Sequence, residues 1–185
     1  MRIEIVDDSE DPAAVAVFPP GENFVDLRQN LHGIERIAAA RAYLPLRNFL
    51  IAVNSPESVF ATLTAAVECK STVAEAAGEV YEFSSWTSLV FTVPSLNFDR
   101  SQYVELAERL KELLQRDSAD SIRGVLRVAA CVFQDQAHRG FCLGIRLVAS
   151  GDSAKQAELR WGLGLARVQQ ALLFRARALG QQIGA

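Results

Sequence analysis

The stretch from Arg123 to Ala149 constrains the fold most, because it reads as two strands of matched alternation around a polar turn. Arg123–Phe133 and Gly140–Ala149 flank the turn at 134–139, and a long basic helix follows directly. One alternation is apolar throughout: Leu126, Val128, Ala130 and Val132 on the first strand, Phe141, Leu143, Ile145 and Leu147 on the second. A face of that kind belongs in a core, so the hairpin is expected within a sheet covered on one side.

The opposite alternation is mixed. It sets Arg123, Val125, Arg127, Ala129, Cys131 and Phe133 against Cys142, Gly144, Arg146 and Val148. A six-residue turn predicts Phe133 opposite Gly140, Cys131 opposite Cys142 and Arg127 opposite Arg146. Like charges directly across a strand pair are unfavourable unless a carboxylate, an anion or solvent separates them. An anionic ligand or an acidic partner segment docked on Arg127 and Arg146, with Trp86 as a further contact, is therefore one expectation for this face. The other is a solvated outer surface whose arginines pair with helix carboxylates such as Glu105 or Glu108. Either depends on register, since a one-residue slip exchanges the faces.

Elsewhere, residues 2–6 and 13–18 read as short strands joined by the acidic turn Asp7–Pro12. From Phe24 to Tyr43, apolar residues at helical spacing predict a helix, with Gly33 as a weak point and Pro45 beyond its end. Asn48–Val53 reads as a buried strand, and Ser55-Pro56 as the start of a helix reaching about Ala76. Glu79–Val93 is β-rich, either a hairpin tight around 84–87 or one long strand. Asp99 is placed to cap a helix over 100–116, with Gln102 as its capping-box partner and Phe98 stapled on Tyr103. Ser153 and Gln156 are placed to open the final helix in the same way.

The resulting order, ββ-α-β-α-ββ-α-ββ-α, lacks a regular βαβ repeat and predicts a single α+β domain over 1–185: a mainly antiparallel sheet built from hairpins, packed helices and a long C-terminal amphipathic helix. By element order alone, 48–133 is similar to a ferredoxin-like core, and the chain from Pro56 onward to secretion-chaperone folds. Such likenesses imply no function.

In the final helix, Trp161, Leu165, Val168, Leu172 and Leu179 form a four-three seam. It either covers the chain's own sheet or, being about 30 residues and ~45 Å long, leaves surface for self-association. No acidic residue follows Glu158, whereas Arg160, Arg167, Arg175 and Arg177 do; the last segment thus carries +4, leaving −7 for the rest of a chain whose net charge is −3. That asymmetry would orient the helix on an acidic surface of its own body or of a partner. The net charge offers no general attraction to nucleic acid or anionic membrane. A charged N-terminus and the lack of a ~20-residue apolar run lead to the expectation of a cytoplasmic protein.

Half the residues are hydrophobic, enough for a sizeable core, and three cysteines are too few for a disulfide scaffold. Cys131, His138 and Cys142 have a spacing that zinc could use, but no fourth ligand is evident and no metal is expected. A redox disulfide between the two cysteines is a lesser alternative. Gly162-Leu163-Gly164 lies inside a helix, not after a strand as a dinucleotide fingerprint requires, and His32 reads as a surface or partly packed residue. The acidic turn at 7–11 lacks calcium-loop spacing. With no nucleophile elbow, zincin motif or phosphate loop, no cofactor is expected. The expectation is a non-catalytic binding or assembly module, homodimeric through the C-terminal helix. The alternative is a small-molecule binder or enzyme with a pocket over the 123–149 hairpin.

Overall fold

Among the described residues six strands form one mixed sheet: β1 (Arg2–Asp8), β2 (Ala16–Phe18), β3 (Phe60–Ala74), β4 (Gly78–Phe91), β5 (Ile122–Phe133) and β6 (His138–Gly151). The computed structural model describes residues 1–185 except 20, 22–23, 75–77, 117–120, 135–137 and 184–185. The strand order is β1-β5-β6-β4-β3, with β2 beside β5. All pairings from β5 to β3 are antiparallel, while β1 and β2 run parallel to β5. Four α-helices among the described residues complete the fold: α1 (Ala38–Ala42), α2 (Leu44–Val53), α3 (Arg100–Gln115) and α4 (Ala154–Ile183). This is an α+β architecture.

The first two strands do not pair with each other as a hairpin. β1 lies along 123–129 of β5 and β2 along 131–133, so residues 9–15 are a detour within one sheet edge. The long helix expected over 24–43 is broken because local side chains bond the backbone first. Asp26 Oδ1 accepts from the backbone N–H groups of Arg28 and Gln29, and Asn30 Oδ1 from that of His32, leaving a 3₁₀ turn at Leu31–Arg36 and the short α1. Pro45 stands in the first turn of α2, the place where a missing N–H costs nothing.

Two elements between 48 and 76 exchange identities. Asn48–Val53 is the second half of α2, with Leu46, Phe49, Leu50 and Val53 buried at helical spacing. Ser55-Pro56 opens a turn, not a helix, and the Thr- and Val-bearing stretch from Phe60 becomes β3. Asn54 joins the two elements: its Nδ2 donates to the Leu50 carbonyl at 2.7 Å and its Oδ1 accepts from Thr62 N at 3.0 Å. Residues 78–91 form one long strand.

The 123–149 hairpin forms, but β5 runs to Phe133 and β6 starts at His138. The pairing is therefore displaced by two residues from the expected register, with Phe133 opposite His138, Cys131 opposite Gly140 and Arg127 opposite Gly144. An even displacement preserves both faces. Asp99 caps α3 through Oδ1 and Ser101 N at 2.9 Å. The Gln102 side chain donates to the Asp99 carboxylate at 3.5 Å while the Asp99 N–H goes to the Leu96 carbonyl, so the box does not form as expected, and Phe98 packs edge-on against Phe133 and His138. At α4, Ser153 Oγ accepts from Gln156 N at 3.2 Å while Gln156 Oε1 accepts from Asp152 N at 2.7 Å.

The helices cover the apolar face of the sheet. Leu126, Val128, Leu143, Ile145 and Leu147 pack there with Tyr103, Leu106 and Leu110 of α3 and the seam of α4. Trp161 is the largest buried side chain; its indole N–H donates to Ser85 Oγ at 2.8 Å. Truncating such a residue to alanine costs about 3–5 kcal/mol. Arg175 meets Glu105 of α3 at 3.4 Å, so part of the basic end of α4 rests on an acidic element of the same chain. Among the described residues no helix is long and apolar enough to cross a membrane.

Candidate functional site

The sheet face turned away from the helices presents a regular grid. Its central row is Glu4, Val125, Arg146, Trp86 and Ala66, side by side on β1, β5, β6, β4 and β3. One neighbouring row is Val6, Arg127, Gly144, Ser88 and Thr64; the other is Arg2, Arg123, Val148, Ser84 and Glu68. Small side chains make the floor, and long ones rise from it. The centre is a shallow concavity of about 700 Å³ lined by Ala66, Glu68, Ser84, Trp86, Val125, Arg127 and Arg146. It is flanked by hollows of about 370 Å³ near Arg2, Glu4, Glu82 and Arg123, and about 320 Å³ where residues 13–16 approach Ser88 and Cys142.

Trp86 is fixed flat in this floor. A Cβ at Gly144 would stand 2.6 Å from Cζ2 and 2.9 Å from Cη2 of the indole, so the ring lies across the glycine. Only a residue without a side chain permits that approach. The indole N–H donates to Ser88 Oγ at 3.1 Å, fixing the ring's orientation. The Arg127 guanidinium carbon is 5.3 Å from the ring centroid, in cation–π range. Arg127 Nε also lies 3.0 Å from Asp8 Oδ2 but off the N–H direction, so that contact is an ion pair without a hydrogen bond. Arg123 is paired with Glu82 at 2.6 Å. Arg146 is exposed, stands directly beside Trp86, and makes no ion pair among the described residues.

Trp86, Arg127 and Arg146, singled out from sequence, thus meet in one concavity. The arginines are diagonal neighbours and not directly opposed, because of the two-residue change in register. The carboxylates that pair with Arg123 and Arg127 on this face also come from elsewhere than expected. Asp8 and Glu82 on neighbouring strands serve this face, whereas Glu105 and Glu108 belong to α3 on the other side of the sheet. Gly144 and Asp8 were not anticipated as site residues. The signal for Gly144 was a glycine in the middle of a strand; for Asp8 there was none, since its place depends on the parallel β1–β5 pairing.

The seam of α4 is in the chain's own core, not on an outer face. Trp161, Leu165, Val168 and Leu172 are at most 2% exposed and Leu179 is 9% exposed, because the helix lies along the sheet for much of its length. What α4 leaves outside is a different set, Leu159, Leu163 and Phe174.

Cys131 and Cys142 are free, buried thiols in a small second cluster with Leu63, Val90, Ala129 and Phe133. The hydrogen bond between them and burial push the Cys131 thiol far above its ordinary range, which keeps it protonated. His138 is turned to Phe98, and no group of three metal-ligating side chains gathers among the described residues. The acidic turn is likewise dispersed: Asp7 pairs with Arg100, Asp8 with Arg127, and Asp11 caps the 3₁₀ turn Pro12–Ala14 through Ala13 N. Comparison with known proteins found no matching family model, no matching curated protein and no matching solved structure.

Proposed function

We propose that this protein is a non-catalytic binding module whose open sheet face takes an acidic segment of a partner protein. The observation that carries the reading is the Trp86 platform: an indole laid flat across Gly144, with Arg127 over its ring and, beside it, Arg146, which has no ion pair among the described residues. A π surface flanked by two guanidiniums suits a carboxylate adjoining an apolar or aromatic side chain. The concavity is shallow and spread over several strands, which favours an extended polypeptide over an enclosed small ligand. Arg127 is already balanced by Asp8, so Arg146, which makes no ion pair among the described residues, is the charge free to pair and Arg127 the oriented one.

The test is titration of the ¹⁵N-labelled protein with a glutamate- and phenylalanine-containing peptide, and separately with inorganic phosphate. Peptide binding should move the Trp86 indole resonance and the amides of 125–127 and 144–146, weaken with salt, and be lost in both Arg127→Ala and Arg146→Ala with the subunit count unchanged. Binding of phosphate alone would indicate a small anion site. Shifts confined to α4, or indifference to both arginine changes, would overturn the reading.

A further inference from the structure

We infer that two copies of this chain join edge to edge through β3, antiparallel about a twofold axis at Cys69, so that their six-stranded sheets become one continuous sheet. Among the described residues, β3 ends the strand order, is bonded to β4 alone, and is covered only at its start. Arg28 Nη1 donates to the carbonyls of Ser55 and Ser58 at 2.8 and 2.7 Å, Phe24 and Val25 lie along Thr62–Ala65, and Asn54 takes the Thr62 N–H. Beyond the bulge between Thr62 and Thr64, residues Ala66, Glu68, Cys69, Lys70 and Ser71 are exposed. An open edge of this length is a template for another strand.

Charge selects the second copy as that strand. Glu68 and Lys70 lie two residues apart on one face of β3 and form an ion pair at 3.0 Å. In an antiparallel pair centred on Cys69, Glu68 faces Lys70 of the second copy and Lys70 faces its Glu68, giving four charges of alternating sign. Centring on Glu68 or on Lys70 sets like charges directly opposite, and parallel in-register pairing does so at both positions. A lysine alone would blunt the edge; the opposite-signed pair makes it complementary to itself in one register. In that register Thr64 faces Ala74, so the paired stretch lies beyond the bulge and meets the chain's own cover of the edge only at Thr64 and Ala65. This inference stands independently of what binds the open face, although the pairing would make the two open faces contiguous.

The experiment is sedimentation velocity on the full chain and on Glu68→Lys, Lys70→Glu and an equimolar mixture of the two variants. The native chain should form a dimer, and each variant alone should associate about tenfold more weakly or worse, since two attractive cross-strand pairs become repulsive. The mixture should recover association, because the lysines of one variant then face the glutamates of the other while neither chain regains its internal ion pair. Independently, mild copper-catalysed oxidation of the native chain should give a disulfide-linked dimer that Cys69→Ser abolishes, since directly opposed strand residues bring their Cα atoms within disulfide range. A native chain that stays monomeric and resists cross-linking overturns the inference. So does a dimer untouched by both charge reversals but dissociated by Leu163→Glu on the outer face of α4.

Discussion

Replacing Gly144 with alanine tests the central geometry of the open face. The new Cβ would stand 2.6 Å from Trp86 Cζ2, against an ordinary carbon–carbon contact of about 3.7 Å, so the indole must retreat by about 1 Å. Overpacking in a closed core costs about 1–3 kcal/mol, but this ring faces an open concavity and can lift away, which places the cost near the lower bound. Lifting also separates the ring from Arg127, forfeiting about 0.5–1 kcal/mol of cation–π attraction at a partly exposed site. The sum is about 1.5–2 kcal/mol, with the fold retained. Fluorine NMR with 5-fluorotryptophan reads this directly, because the chain has two tryptophans and Trp161 is fully buried on the other side of the sheet. The Trp86 resonance should move and gain a solvent isotope shift while that of Trp161 stays in place, with urea unfolding giving the stability change. An unmoved Trp86 resonance would refute the platform, as would a loss so large that both resonances collapse.

Three further outcomes follow from the packing. Gly140→Ala should cost about 3 kcal/mol, because its Cβ would meet the Asn97 carbonyl oxygen at 2.4 Å, a backbone atom that cannot yield, and near-native urea stability would contradict this contact. Ellman's reagent should titrate Cys69 rapidly in the folded protein and reach Cys131 and Cys142 only on unfolding; fast reaction of all three thiols would mean that the second cluster is open. The Asp99 carboxyl is held below its ordinary range by hydrogen bonds first from the Ser101 hydroxyl and then from the Ser101 N–H, so its contribution is present above pH about 4 and lost as pH falls below it. Asp99→Ala should therefore lower the melting temperature at pH 7 and flatten its acid dependence, and an unchanged acid limb would exclude this cap as a contributor.

The parts of the fold that could be read from the chain are those where one periodicity had no competitor. In β5 and β6 the alternation is strict over long runs, and both faces came out correctly even though the turn was misjudged by two residues. In α3 the Asp99 cap and the amphipathic spacing agree. The failures lie where two signals compete. Leu46, Phe49, Leu50 and Val53 carried the helical spacing of α2, but Pro45 drew the boundary to the wrong place. Ser55-Pro56 suits a turn as well as a helix start, and the β-branched content of 60–74 decided in favour of a strand. The parallel placement of β1 and β2 along β5 had no local signature, because a parallel partner far away in sequence leaves no turn to mark it. Asp8 was missed as the counter-charge of Arg127 for that reason.

The composition of the open face supports its reading as a binding surface. A sheet face left to water is best stabilised by β-branched and aromatic cross-strand pairs, each contributing about 0.2–1 kcal/mol relative to alanine pairs. Here the floor holds Ala66, Ser84, Ser88 and Gly144, residues that forgo much of that stabilisation, and a glycine in a central strand costs more still. Neither the helix-covered core nor the choice of face requires them, since the helices pack on the other face and alternation decides which side chains point outward. What the small residues do permit is close approach: they let Trp86 lie flat, and they leave a depression rimmed by Arg123, Arg127 and Arg146 and by Glu4, Glu68 and Glu82. Substituting this floor with valine at Ala66 and threonine at Ser84 should raise stability while filling the concavity. A variant that becomes more stable yet no longer binds the acidic peptide would separate what this face costs the fold from what it supplies, whereas a variant that binds undiminished would remove the floor from the recognition surface.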